Sequence, residues 1–268
     1  MGDAAAARIR DVIDTAPAFV QADADRLNAR FAGVDAGTML AELFAEGSLG
    51  RVAVVSSFGT ESAVLLHLVA TADPTVPVIF VDTLKMFPET LDYRATLTER
   101  FGLVNSSVVA PDAAVLAAKD ENGLRWSWDP DGCCEIRKVE PLARAKSGLD
   151  AWISGRKAFQ SVTRENLPRF EIEDGRMKIN PLGNWTKDDL EAYFAEHDLP
   201  RHPLEAQGYL SVGCAPCTSV VKPGEDPRAG RWRGWDKTEC GIHTPTTPDT
   251  GSEDEQGIEL PPGYEPVF

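Results

Sequence analysis

The sequence has no apolar run long enough to span a bilayer, and its first residues lack the basic and apolar regions of a secretion signal. Positive charge is scarce too, because 27 Lys and Arg residues stand against 42 Asp and Glu residues, for a formal net charge of −15. General binders of nucleic acids or acidic membranes need a positive field. We therefore expect a cytoplasmic protein with no nucleic-acid or membrane partner, in which any small anionic ligand is held by local clusters of Arg and Lys.

Two common site patterns are also missing. The sequence contains no G-x-x-x-x-G-K-[ST] phosphate loop, and its four histidines show neither HxH nor HxxxH spacing. Cysteine is sparse and odd in number, occurring as Cys133, Cys134, Cys214, Cys217 and Cys240. An odd count without a secretion signal argues against a disulfide framework and favours metal or redox chemistry.

Hydrophobic periodicity predicts an α/β fold. After an N-terminal helical part within residues 1–48, apolar runs predict strands at 51–56, 77–82, 103–109, 150–154 and 177–180. The predicted helices are 61–70, 88–101, 133–145 and 186–197. This alternation is typical of a mostly parallel sheet with helices on both faces, which binds ligands at the carboxyl ends of its strands. Residues at those predicted ends include Ser56, Ser57, Phe58, Gly59, Asp82, Thr83, Gly155 and Arg156. We expect residues 1–218 to form this domain and residues 219–268 to form a mobile C-terminal segment, since periodicity fades there.

Four of the cysteines form a CC pair and a CxxC pair. Adjacent cysteines on a helix point about 100° apart, which is awkward for a single small ion but suits the separate corners of a [4Fe–4S] cluster. The alternative is a pair of buried cysteines beside a zinc knuckle. Lys138 follows Cys134 by four residues and so shares its helix face, near an anionic cluster and an anionic substrate or else on the solvated surface.

The fifth cysteine, Cys240, lies in a polar segment that is rich in Gly, Pro, Arg and Trp. An exposed free thiol is a liability unless it has a function, so Cys240 is a candidate nucleophile; the alternative is an incidental thiol. Basic residues gather in two places, at Arg156, Lys157 and Arg164, and at Arg228, Arg231 and Arg233. Both groups are candidate phosphate or sulfate ligands, because Arg makes bidentate contacts to such groups, although ordinary surface positions would give the same pattern.

Several segments together resemble one known family. They are SSFGTES at 56–62, VDT at 81–83 with FPET at 87–90, CCEIRK at 133–138, SGRK at 154–157, GCAPCT at 213–218, RAGRW at 228–232 and ECGIH at 239–243. In this order they are similar to the assimilatory adenylyl-sulfate reductases of the phosphoadenylyl-sulfate reductase family. The phosphate-loop segment departs from that family's more familiar SFSGxxD pattern, and Arg156-Lys157 stands where many relatives have two arginines.

The resemblance implies an adenine nucleotide α-hydrolase-like (PP-loop) fold and a homo-oligomer, either a dimer or a tetramer. It implies that Cys133, Cys134, Cys214 and Cys217 ligate a [4Fe–4S] cluster, and that the substrate is adenosine 5′-phosphosulfate (APS). Cys240 would attack the substrate sulfur and release AMP, and thioredoxin or a glutaredoxin-like dithiol would then release sulfite. Lys138, Arg156, Arg228 and Arg231 would neutralise the sulfonate oxygens.

Three other functions stay open on the sequence alone. One is a reductase that takes the 3′-phosphorylated nucleotide or both nucleotides. Another is an ATP-dependent PP-loop tRNA thiolase, which the negative charge disfavours. The last is a zinc-binding module without enzymatic activity.

Overall fold

The computed structural model describes residues 18–160 and 167–242 of the chain. Its centre is a six-stranded sheet formed by β1 (Val52–Ser56), β2 (Val78–Val81), β3 (Ser106–Val109), β4 (Ala151–Ser154), β5 (Phe170–Glu173) and β6 (Arg176–Ile179). The strand order is β3-β2-β1-β4-β6-β5, and every pair is parallel except β5 with β6. The predicted α/β class with a mostly parallel sheet is therefore confirmed.

Helices occupy the connections. They are α1 (Gln21–Arg30), α2 (Ala36–Glu46), α3 (Ser62–Ala72), α4 (Pro88–Arg100), α5 (Ala113–Lys119), α6 (Pro130–Cys134), α7 (Glu140–Lys146) and α8 (Lys187–Glu196). Pro88 begins α4, where its missing N–H costs nothing, and Thr186 caps α8 in a capping box with Asp189, both as the sequence predicts. No helix within residues 18–160 and 167–242 is long and apolar enough to cross a membrane.

Three parts of the fold differ from the sequence prediction. The predicted helix 133–145 is divided, because a π-helical turn at Glu135–Val139 separates α6 from α7. Pro141 explains the division, since a proline ring clashes with the carbonyl four residues earlier and widens the helix there. Strand β5 and helix α5 are not predicted, because each is short and half of β5 is charged. In the predicted N-terminal helical part, residues 1–17 lie outside the described residues.

Sheet order brings three strand ends to one edge. Strand β1 lies between β2 and β4, in parallel register with both. The carboxyl ends of β1, β2 and β4 are Ser56, Val81 and Ser154, so they lie side by side. Helices α2 and α3 pack together over a core in which Phe31, Leu66 and many other apolar side chains are fully buried. The core holds this edge fixed, and the functional site is built on it.

Candidate functional site

A cavity of about 210 Å³ opens at the carboxyl ends of β1, β2 and β4. The residues predicted to act in catalysis all line it, namely Lys138, Arg156, Arg228, Arg231 and Cys240. Of the predicted substrate ligands, Ser56, Ser57, Gly59, Thr83, Gly155, Arg156 and Lys157 line it as well. The fold thus brings together side chains that lie up to 184 positions apart in the sequence, from Ser56 to Cys240.

Two predicted substrate ligands lie elsewhere, and a third cannot be placed. The Phe58 side chain is fully buried in the core, where its ring packs edge-on against Phe80 at 5.5 Å between centroids. Asp82 is absent from the cavity wall, and its carboxylate accepts a hydrogen bond from the backbone N–H of Leu84 at 2.8 Å. Arg164 lies outside the described residues. The loop after β1 therefore presents Ser57 and Gly59 to the cavity, while the Phe58 side chain packs into the core.

The segment that carries Cys240 is packed against the rest of the domain. The guanidinium of Arg228 donates to the backbone carbonyl of Thr238 at 2.8 Å and also contacts the Glu239 carboxylate. Lys237 forms an ion pair with Asp131 at the start of α6. These contacts hold the half-buried Cys240 in the cavity wall, beside the helix that carries the CC pair. The mobility of residues 219–268 stays a prediction.

A second, smaller cavity is lined by Cys133, Cys134, Cys214 and Cys217. The CxxC turn is ordered by the loop after β2, because the N–H of Ala215 donates to the Lys85 carbonyl at 2.8 Å and the Thr83 hydroxyl lies 3.1 Å from the Cys214 sulfur. Lys138 and Trp232 line both cavities, so they separate the cysteine quartet from the larger cavity.

The cysteine thiols of the quartet differ in how readily they ionise. Burial raises the pKa of the Cys133 thiol to about 11 and that of Cys134 to about 12. Burial also opposes ionisation of Cys214, but the Lys138 ammonium and the Thr83 hydroxyl together lower the pKa of that thiol below its usual value. Burial opposes the charge of Lys138 in turn, yet the surrounding sulfurs, led by Cys214, raise its pKa. Cys133 and Cys134 would therefore ionise fully only against a further positive charge, such as that of bound metal.

The donor set determines what the quartet could hold. Among the residues that the structure describes, no three His, Cys, Asp or Glu side chains meet closely enough to chelate one metal ion. Four thiols nevertheless line a single small cavity, with the cations Arg137 and Lys138 beside them. This arrangement fits a polynuclear cluster, whose thiolate ligands bind different metal atoms, better than the compact tetrahedron of a structural zinc ion.

Three residues of the larger cavity's wall carry buried hydrogen-bond donors without acceptors. Within the described part of the chain, the buried Nε atoms of Arg156 and Arg231 and the buried Nε1 of Trp232 have no hydrogen-bond partner. All three residues line the cavity, and the Arg231 guanidinium lies over the Trp232 ring at 4.4 Å from its centroid. A buried donor left unpaired costs about 1–3 kcal/mol. These three atoms are almost inaccessible to solvent, so a ligand in the cavity would pair with them only after the side chains shift.

Sequence reasoning missed two carboxylates that pair with cations of the cavity wall. Glu61 lines the cavity, and one of its oxygens accepts hydrogen bonds from the Lys157 ammonium at 2.8 Å and from Gln160 at 2.7 Å. Arg156 is paired as well, with Glu171 at 2.9 Å. The positive charges of Lys157 and Arg156 are thus partly offset before any ligand binds. Glu61 lies within the SSFGTES segment, and that position was the one sequence feature that could have marked it as a site residue. No feature of the sequence marked Glu171.

Similar proteins agree with this architecture. Residues 51–220 match the model of the phosphoadenosine phosphosulfate reductase domain. The chain is 54% identical over 193 residues to a protein of Mesorhizobium japonicum named adenosine 5′-phosphosulfate reductase, covering 72% of this chain and 76% of that protein. It is 48% identical over 235 residues to a protein of the same name from Chelativorans sp. strain BNC1, covering 85% and 94%.

A solved structure is also similar. The phosphoadenylyl-sulfate (PAPS) reductase of Candida auris, in a phosphate complex, matches with a TM-score of 0.64 at 28% identity, covering 76% of this chain and 98% of that one. The shared sheet, the matched residues and the two relatives lead to one conclusion. The chain belongs to the phosphoadenosine phosphosulfate reductase domain family.

Proposed function

We propose that this protein reduces APS to sulfite and AMP, as a step of assimilatory sulfate reduction. The observation that carries the proposal is the cavity in which the Cys240 thiol shares a wall with Lys138, Arg228 and Arg231. A thiol beside several cations and unpaired donors suits attack on an anionic sulfur centre. The names of the two bacterial relatives support APS as the substrate.

In the proposed reaction, the Cys240 thiolate forms a bond to the sulfur of the sulfate group. The S–O bond to the phosphate breaks, and AMP leaves with its electron pair, so that a cysteine S-sulfonate remains. Lys138 and Arg231 neutralise the sulfonate oxygens and the leaving phosphate. The attraction between opposite charges is stronger in a partly desolvated site than in water. Burial works against the charge of both residues, whereas the sulfurs of Cys214 and Cys240 favour it.

Sulfite release needs two electrons from a dithiol, which we propose is thioredoxin or a glutaredoxin-like protein. One thiolate attacks the Cys240 sulfur and sulfite leaves; the second thiol then closes the partner's disulfide and returns Cys240 to the thiol. The partner is oxidised by two electrons, the sulfonate sulfur is reduced to sulfite, and one net proton is released. We propose that the protein works in the cytoplasm as a dimer or tetramer, which light scattering would measure.

We further propose that Cys133, Cys134, Cys214 and Cys217 hold a [4Fe–4S] cluster. When bound, the cluster supplies fixed charge beside Lys138 and joins the CC helix to the CxxC turn; the thiol exchange above already provides both electrons. Iron and sulfide analysis after anaerobic purification tests this assignment. About four irons and four sulfides per chain are expected, whereas a colourless protein with one zinc would contradict it.

Mass spectrometry after mixing with APS and no reductant tests the reaction. One sulfonate adduct is expected, on the peptide that contains Cys240, and Cys240→Ser should abolish sulfite release while leaving AMP affinity and iron content unchanged. Sulfite production by that variant would refute the mechanism. The second candidate substrate is the 3′-phosphorylated nucleotide, favoured by the name of the Candida auris structure. A higher kcat/KM for that nucleotide than for APS would overturn the substrate assignment.

A further inference from the structure

Arg156 at the cavity is connected to a network of charged residues behind it. Its Nη1 donates to Oε1 of Glu171 at 2.9 Å, and the side chains of the two residues are 13% and 29% exposed. Glu171 lies on β5, the strand at the far edge of the sheet, and is absent from the cavity wall. Among the described residues, its direct contact with a side chain of the cavity wall is the ion pair with Arg156.

A single oxygen of Glu171 is held from three sides. Besides Arg156, its Oε1 accepts from Nδ2 of Asn180 at 3.0 Å and lies 3.4 Å from Nζ of Lys178. Lys178 stands directly opposite Glu171 in the antiparallel register of β5 and β6, where cross-strand pairs approach most closely. Asn180 is fully buried and also accepts from the hydroxyl of Ser154, which lines the cavity. The sheet thus determines where the carboxylate lies and which way it faces.

The charges in this network do not balance. Glu173 pairs with both Lys146 and Lys178, each at 2.6 Å, and the two ammonium groups lie over the Trp152 ring at 4.4 and 4.9 Å from its centroid. Together with Arg156 and Glu171, three cations face two carboxylates. Because both lysines share Glu173 while Arg156 is paired with Glu171, the excess positive charge lies at the lysine end of the network, behind the cavity wall.

The pairing leaves part of the Arg156 guanidinium for a ligand. Glu171 engages Nη1, whereas Nη2 makes no hydrogen bond within the described residues, and the side chain is 13% exposed and lines the cavity. A guanidinium presents its donors in a rigid plane, so fixing one nitrogen fixes the direction of the others. Orienting such a group before binding removes an entropy cost that the ligand would otherwise bear.

We propose that Glu171 is a positioning residue for the anionic part of the nucleotide substrate. It holds the Arg156 guanidinium so that the remaining N–H groups are aligned for phosphate or sulfate oxygens. This inference rests on the proposed function, because it takes an anionic sulfonucleotide as the ligand of the cavity. It adds a residue from the sheet's edge strand to the groups that determine substrate affinity.

The test measures APS binding by calorimetry in the Cys240→Ser holoenzyme, which binds without turnover. Glu171→Ala should raise the Kd for APS about tenfold to hundredfold, the range expected when a charge-assisted hydrogen bond is lost. Glu171→Gln keeps the volume and one acceptor oxygen, so an increase of about threefold is expected. The matched control is Glu173→Gln, on the same strand and in the same network, but with no contact to Arg156.

Glu173→Gln should lower the unfolding temperature yet leave the Kd within twofold of the parent. In an Arg156→Ala background, Glu171→Ala should have no further effect on the Kd, because its action passes through Arg156. An unchanged Kd in both Glu171 variants would overturn the inference, as would an effect that persists without Arg156. Failure of the parent Cys240→Ser protein to bind APS would instead refute the proposed function, and this inference with it.

Discussion

Gly213 precedes the CxxC turn at a point where the Arg231 guanidinium lies against the backbone. A Cβ atom at Gly213 would stand 2.6 Å from Cζ of Arg231 and closer still to its Nη2, whereas ordinary contact begins at 3.4 Å. The backbone of Gly213 does not have a positive φ, so alanine itself is not strained there. Gly213→Ala should therefore act through Arg231 rather than through the local backbone.

The size of the effect follows from the distances. The guanidinium must retreat by at least 0.8 Å, the difference between 2.6 and 3.4 Å for Cζ, and by more at the closer Nη2. A displacement of about 1 Å in a positioning group can cost roughly a hundredfold in rate. We expect kcat/KM for APS to fall by about tenfold to hundredfold, which corresponds to about 1.4–2.8 kcal/mol of transition-state stabilisation.

Steady-state kinetics with APS and a dithiol reductant measure this loss. Gly148→Ala is the matched control, because a Cβ there meets no atom within 4 Å and the backbone φ is not positive. Iron content and the unfolding temperature should match the wild-type protein in both variants, since the clash involves the end of a flexible side chain.

Two results would refute the reasoning. Wild-type kcat/KM in Gly213→Ala would mean that Arg231 does not act at its observed position. Loss of iron would mean that the strain passed into Cys214, the next residue along the chain, instead of into the guanidinium.

Two further predictions concern stability. Burial lowers the pKa of His202 to about 4, below the usual 6.5. Between these pH values the native imidazole stays neutral while the unfolded one takes up a proton. About 3 kcal/mol of stability should therefore be lost as the pH falls from 6.5 to 4. The urea midpoint of the wild type should therefore fall between pH 7 and pH 5, and that of His202→Gln should fall less. An equal fall in both proteins would contradict the prediction. Asp120→Asn breaks an ion pair with Arg137 whose side chains are 0% and 5% exposed, so it should cost about 3–5 kcal/mol in denaturant unfolding. The exposed pair of Glu225 with Arg233 gives the control, since Glu225→Gln should cost less than about 1 kcal/mol; a similar loss in both would refute the role of burial.

Much of the fold could be predicted because its signals are local. The runs that become β1, β2 and β4 are continuously apolar, as strands covered on both faces must be, and their order with the helices indicates parallel pairing. Pro88 and Thr186 mark helix starts through the chemistry of one or two residues. Strand β5 escaped prediction because four residues, half of them Glu, are too few for periodicity to be distinguished from a loop.

Candidate site residues could be predicted where they belong to a sequence motif. The prediction was weaker where the role of a residue depends on which side chains the fold places beside it. Cys240, Lys138 and Arg231 could be chosen from the sequence, and the structure places all three in one cavity. Phe58 was chosen with its loop, but whether a loop residue faces the cavity or the core depends on the backbone. Phe58 has a φ of 49°, a conformation that turns its ring into the core.

The sequence by itself determined the alternation of strands and helices, the division of the cysteines into a quartet and a single thiol, and the family to which these motifs belong. Tertiary structure alone decided which charges remain for a ligand, because Lys157 meets Glu61 across 96 positions and Arg156 meets Glu171 through the order of the strands. The physical reason is range. Helix and strand patterns arise from neighbours along the chain, whereas the charge that a buried side chain presents depends on which distant group the fold places beside it.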